Sequence, residues 1–258
     1  MQQGVSPDDD DDTSDPQSVK TPLQFHCSLR VFDLAVLSRI EDSRLSYTWG
    51  CPYAEKIFEL NDVSDSAAFN GRYTQERTVP IHCDHGSVLV TPNMYEALCG
   101  IYYRYFSKAG SDATPNSECV SISSFIWIDA ICISQDDIEE RGTQVAVMDK
   151  IYRAASRVII WLGNQLPRTD RALELVTYLA AISNDQIESM AKEPLYRAET
   201  YTKLGMHLIG LEDWRILTSF LERQWFRRVW IIQEFCTARG TTFLCGTTRV
   251  LWNNLLTV

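Results

Sequence analysis

Two short apolar runs most narrow what this chain can fold into: SFIWIDAICIS (Ser124–Ser134) and RVIIWLG (Arg157–Gly163). Each is apolar on both faces, which suits a strand covered from both sides, as in a parallel sheet. The residues between them follow helical periodicity. Asp136 or Asp137 can cap this helix, Glu139 and Glu140 favour its first turn, and Val145, Met148, Ile151, Tyr152 and Ala155 form one buried stripe. Strand, helix and strand within about forty residues make a βαβ unit, expected to be parallel and right-handed. The class predicted is α/β.

The flanking segments extend this frame. SYTWG (Ser46–Gly50) reads as a short strand closed by glycine, and Thr78–Asn93 as a hairpin turning near His85-Gly86. Thr91 as cap and Pro92 in the first turn open a helix through Met94, Leu98, Ile101 and Tyr105, ending near Phe106. A polar loop follows at Ser107–Glu118. Another amphipathic helix runs from Arg168 to about Ser183, aligning Leu173, Val176, Leu179 and Ala180. Residues 184–210 are polar and poorly patterned and read as an inserted helical excursion. Trp214–Arg239 reads as two helices broken near Gln224, and Thr241–Gly246 with Thr248–Trp252 as a closing hairpin. The final WNNLLTV looks like the start of a further element, so the chain is expected to be a fragment of a longer protein.

Charge limits the partners. The net charge is −10, and residues 1–20 alone hold six Asp against one Lys. Residues 1–22 are therefore expected to be a disordered acidic tail, and 23–258 the folded domain. The acidity and the lack of a basic patch argue against nucleic acid. The start lacks the apolar core of a signal peptide, and no apolar run is long enough to span a bilayer. None of the eight cysteines forms a Cys-x-x-Cys pair, which favours a reduced, intracellular setting. The ligands in IHCDH (Ile81–His85) are too crowded for a zinc site, so a turn is expected there and no metal.

In open parallel sheets, ligands bind beyond the carboxyl ends of strands. Tyr47, Trp49 and Gly50 follow one predicted strand, Asp129, Cys132 and Gln135 another, and Trp161 and Gly163 a third. Aromatic rings can stack on a flat heterocycle, and glycine admits close backbone approach. Equally, Trp49 and Trp161 can be core aromatics, Asp129 a cap, and Cys132 an inert thiol. RRVWIIQEF (Arg227–Phe235) poses the sharpest question, because an ionised Glu234 in apolar surroundings must be paired or used. On one continuous helix, Arg227, Trp230 and Glu234 share a face, Val229, Ile232 and Cys236 lie opposite, and Ile231 and Phe235 widen the apolar surface. That helix is expected to be wrapped by protein on most sides. Arg227 then lies two turns away and Arg228 projects elsewhere, so Glu234 points at something specific or at a distant partner. Phosphate loops, nucleophile elbows and zinc-helix motifs are absent.

Taken together, LSYTWG (Leu45–Gly50), TPNMYEAL (Thr91–Leu98), Phe125–Gly163 and WFRRVWIIQEF (Trp225–Phe235) resemble the fungal heterokaryon-incompatibility (HET) domain over most of residues 30–258. The resemblance implies an effector of fungal self/non-self recognition and regulated cell death, cytoplasmic, triggered when an unknown protein partner brings copies together as a homo-oligomer. The HET domain is remotely similar to Toll-type receptor (TIR) domains, implying a flavodoxin/TIR-like parallel sheet flanked by helices, with extra hairpins and a helical insertion. Some TIR domains hydrolyse NAD+ using a glutamate in a Trp-x-x-x-Glu helix, and Trp230–Glu234 looks like that motif. By this resemblance Glu234 is the catalytic carboxylate and NAD+ is substrate rather than cofactor. Tyr47 and Trp49 would stack on a ring, with Gly50 beside them. Asp129 would order the loop, Arg227 would meet a phosphate, and Trp230 would complete the motif. The TIR loop after the second strand has no obvious equivalent. Glu234→Ala and Glu234→Gln are both expected to fold and to release no nicotinamide. The alternatives are a non-enzymatic oligomerising death-signalling module and a nucleotide sensor without turnover.

Overall fold

The computed structural model describes residues 23–32, 42–54, 71–84, 86–106, 125–183, 185, 186, 188, 192 and 197–250. The expected acidic tail, the loop 107–118 and the stretch after Val250 lie outside the described residues, as does His85 of the hairpin turn.

Five strands form the main sheet: β2 (Asp42–Ser46), β5 (Phe125–Trp127), β6 (Arg157–Trp161), β7 (Thr241–Cys245) and β8 (Thr248–Val250). Their spatial order is β5-β2-β6-β7-β8; the first four pair in parallel and β8 returns antiparallel. Counted by chain order within the sheet, this is 2-1-3-4-5, the flavodoxin-like order, and its switch point lies between β2 and β6. A smaller sheet joins β1 (His26–Cys27) in parallel to the hairpin of β3 (Val79–Cys83) and β4 (Gly86–Val90).

Alternation along the central strands builds a core on each face. Leu45, Ile159, Trp161 and Leu244 pack with helix α1 (Pro92–Tyr105) and with Ile81 and Val90 of the small sheet. Val158, Ile160, Phe243 and Cys245 pack on the other face. There they meet α4 (Met148–Ala154), α5 (Thr169–Ala180) and α7 (Leu211–Leu221). The short α6 (Ala198–Lys203) docks through buried Tyr201, whose hydroxyl accepts from Trp214 Nε1 at 3.1 Å. Among the described residues, no helix is long and apolar enough to cross a membrane.

Helix α1 follows local chemistry: Thr91 Oγ1 accepts from the Met94 amide, and Pro92 occupies the first turn. It lies close to the sheet at Gly100. A Cβ there would stand 2.5 Å from Trp161 Cζ3 and 2.9 Å from the Gly246 carbonyl oxygen. Gly→Ala ordinarily strengthens a helix by about 1 kcal/mol. Here the sign is expected to reverse, and Gly100→Ala should cost about 1–3 kcal/mol by overpacking, read as a lower urea midpoint.

Three boundaries correct the sequence reading. The first strand is Asp42–Ser46, not Ser46–Gly50; its pairing with β6 ends at Ser46↔Ile160. It was hidden because DSRLS has no apolar pattern, although all five residues are buried. Within it Arg44 Nη1 pairs with Asp42 Oδ2 at 2.6 Å, while Asp42 Oδ1, Arg44 Nε and Arg44 Nη2 are buried with no hydrogen-bond partner among the described residues. The second strand stops at Trp127, since β2 supplies partners only for Phe125, Ile126 and Trp127. Asp129–Cys132 then forms the short helix α2. Third, the crossover helix is divided into α3 (Ile138–Val145), capped by Asp137, and α4. The backbone resets at Val147 (φ −116°, ψ 6°), so Met148, Ile151, Tyr152 and Ala155 face inward while Val145 is exposed.

Candidate functional site

The site is built at the carboxyl end of β2, beside the switch point. Past α7 the chain makes a 3-10 turn (Gln224–Arg227), extends through Arg228 (φ −80°, ψ 135°), and re-enters helix as α8 (Ile231–Cys236). No continuous helix joins Arg227 to Glu234, so the expected helical face does not exist. The extended link turns Arg228 back onto Glu234. Its Nη2 donates to Oε1 at 2.8 Å and its Nη1 to Oε2 at 3.1 Å. This fork corrects the expectation that Arg228 projects elsewhere.

Ser46, the last residue of β2, donates its hydroxyl to Glu234 Oε2, and Trp225 Nε1 donates to Ser46 Oγ at 2.6 Å. Glu234 is 1% exposed. A second carboxylate lies close by. Asp129 Oδ2 accepts from Trp49 Nε1 at 3.1 Å and Oδ1 from the Ala130 amide at 2.8 Å, while the Asp129 carbonyl accepts from Gln135 Nε2 at 2.7 Å. Burial raises the pKa of Glu234, Arg228 and Ser46 oppose the rise, and Asp129 adds to it. Burial also raises Asp129, against the Trp49 indole, the Ala130 amide and the charge of Arg228. One guanidinium therefore serves two carboxylates, both biased toward the protonated form.

That bias sets a pH dependence. Between the ordinary and the raised values, the folded chain binds more protons at Glu234 and Asp129 than the unfolded chain does. Their contribution to stability is thus expected to fall as pH rises from the ordinary values, 4.5 for Glu234 and 3.8 for Asp129, through the raised folded values. Denaturant midpoints taken at stepped pH should show a shallower decline across that window in Glu234→Gln and Asp129→Asn.

Of the residues expected from sequence, Tyr47, Trp49, Asp129 and Glu234 come together. Tyr47 is a core residue, 2% exposed, so its ring offers no face for stacking; its buried hydroxyl lies near Asp129. Trp49 is half-buried and directs its indole N–H at Asp129. Gly50 is buried against Gln75 and Tyr73. Arg227 is exposed, and Arg228 rather than Arg227 pairs with Glu234. Trp230 precedes α8, 46% exposed. Val229 (79%) and Ile232 (63%) are also exposed, which corrects the expectation of a helix wrapped on most sides. Sequence reasoning missed Ser46, Trp225 and the role of Arg228. Ser46 could have been found only with the strand boundary in the right place.

An open cavity of about 430 Å³ is lined by Tyr53, Arg72, Tyr73, Asn164 and Gln165 among others; neither Glu234 nor Arg228 lines it. Among the described residues, no group of three or more His, Cys, Asp or Glu is placed to hold a metal ion.

Fold and site define a flavodoxin-ordered α/β domain with a buried carboxylate–guanidinium cluster at its switch point. Residues 43–234 match the family described as heterokaryon incompatibility protein (HET), and the chain belongs to that family. The matched span begins within β2 and ends on Glu234. The chain is also similar to heterokaryon incompatibility protein 6, OR allele, of Neurospora crassa, at 33% identity over 138 aligned residues. That alignment covers 47% of this chain and 20% of the relative, so the chain spans about a fifth of that protein's length. No solved structure matches the chain.

Proposed function

We propose that this chain is the effector module of a fungal self/non-self recognition protein, and that it cleaves NAD+ between nicotinamide and ribose at the Glu234 cluster. One observation carries the reading: two carboxylates and an indole converge at the carboxyl end of the first strand, beside the switch point where ligands bind in such sheets. The Trp230–Glu234 resemblance to the TIR motif supports it. The bond from ribose C1′ to the nicotinamide nitrogen breaks, and its electron pair leaves with neutral nicotinamide. Water then adds to C1′ and gives up a proton, leaving ADP-ribose. The ribosyl centre becomes cationic on the way, and a fixed carboxylate beside it stabilises that charge.

Glu234 is sealed by Arg228, so the reading requires Arg228 to release it. A dinucleotide pyrophosphate is a suitable competitor, because guanidinium binds phosphate as readily as carboxylate. In this role Arg228 replaces the Arg227 expected from sequence.

A second reading, the non-enzymatic oligomerising module, is favoured by the full pairing of Glu234 and by exposed Val229, Trp230 and Ile232 beside it. One experiment separates the readings: incubate the purified chain with NAD+ at rising protein concentration, follow nicotinamide by chromatography, and record mass by light scattering. Hydrolysis yields nicotinamide and ADP-ribose in equal amounts. Oligomers over intact NAD+ support the second reading, and thermal stabilisation by NAD+ without product supports a sensor.

A further inference from the structure

The IHCDH stretch, set aside as a metal site, carries a different chemistry. Cys83 at the end of β3 is in register with Cys27 of β1 on adjacent parallel strands. Their Sγ atoms lie 2.8 Å apart, and one thiol donates to the other. Cys27 is separated from Cys83 by 56 positions, so only the fold brings them together. The flanking pair is aligned as well: His26 stacks on His82 with ring centroids 5.1 Å apart, and Ser28 Oγ donates to Asp84 Oδ1 at 3.1 Å. The two backbones are thus held in one register on both sides of the thiols. Both residues are half-buried.

The geometry points to Cys27–Cys83 as a redox-active dithiol, a modification site that takes low-molecular-weight disulfides. Adjacent strands hold side chains at the spacing a disulfide needs, so closure requires little backbone movement. Burial and the neighbouring thiol push Cys27 up to about 12, so Cys27 holds its proton. Cys83 therefore attacks first. Its thiolate displaces one thiolate from the external disulfide, forming a mixed disulfide on Cys83. Cys27 then gives up its proton and attacks the Cys83 sulfur, expelling the second external thiol. Two protein thiols are oxidised to one disulfide and one external disulfide is reduced to two thiols. The product ties β1 covalently to β3. Cys132 is near enough to interact electrostatically with both sulfurs, which makes it the competing partner.

The test is to titrate the reduced, purified chain with glutathione disulfide and map its peptides by mass spectrometry without reduction. The expected product has lost two hydrogens, carries a Cys27–Cys83 cross-link and no retained glutathione, melts several degrees higher, and reverts with dithiothreitol. Cys27→Ser should instead trap glutathione on Cys83, and Cys83→Ser should leave Cys27 unmodified. Separate glutathione adducts on both thiols of the wild type, a cross-link through Cys132, or no reaction at either thiol would overturn the proposal. The wild-type map stands even if a variant fails to fold, and none of these outcomes depends on NAD+ turnover.

Discussion

Arg228→Met is expected to lower the stability of the fold by about 3 kcal/mol, the lower end of the range for unpairing a buried ion. The lower end applies because Arg228 is 21% exposed, whereas the Glu234 side chain is 2% exposed. Without the guanidinium, Glu234 keeps only the Ser46 hydroxyl, and Asp129 loses the same opposing charge. Both carboxylates should then hold their protons to higher pH. The loss should therefore be larger in alkaline than in acid buffer when read as urea midpoints. Adding Glu234→Gln removes the stranded charge, so the double variant should recover part of the loss. A cycle of the four proteins isolates the pair. Equal stability of Arg228→Met and wild type would mean that the fork does not form in solution.

Substitutions at Glu234 should separate in a way the sequence alone did not suggest. Glu234→Ala opens a hole and leaves Arg228 and Ser46 without their common acceptor, so destabilisation of about 3–5 kcal/mol is expected. Normal folding of this variant, the expectation from sequence, does not fit the geometry. Glu234→Gln keeps the side-chain shape and one acceptor oxygen, and should fold with a smaller loss. It also removes the negative charge required beside a cationic ribosyl centre. On the proposed mechanism it should slow nicotinamide release by on the order of a hundredfold or more. The Gln variant is thus the informative probe of chemistry and the Ala variant a probe of packing.

The elements legible in the sequence are those whose signals are local. Helix α1 was readable from Thr91 and Pro92, the β3–β4 hairpin from its flanking runs, β6 from its unbroken apolar residues Val158–Trp161, and β7 as one arm of the closing hairpin. The central strand β2 was not, because Asp42, Ser43, Arg44 and Ser46 are polar yet buried, with Arg44 paired to Asp42 and Ser46 to the distant Glu234. A helical wheel also failed at Arg228. It assumes one unbroken helix, while the 3-10 turn and the extended residue after it set the direction of that side chain. Glu234 stood out as an acid among apolar residues. Its partners did not, since Ser46 lies 188 positions away and Arg228 reaches it only through the break.

The most direct measurement is nicotinamide release from NAD+ by wild type and Glu234→Gln, matched in concentration and in oligomeric mass. Cleavage at Glu234 predicts steady release by wild type and almost none by the variant, with both proteins folded. Equal release by the two, or intact NAD+ with wild type at every concentration and assembly state, would contradict it.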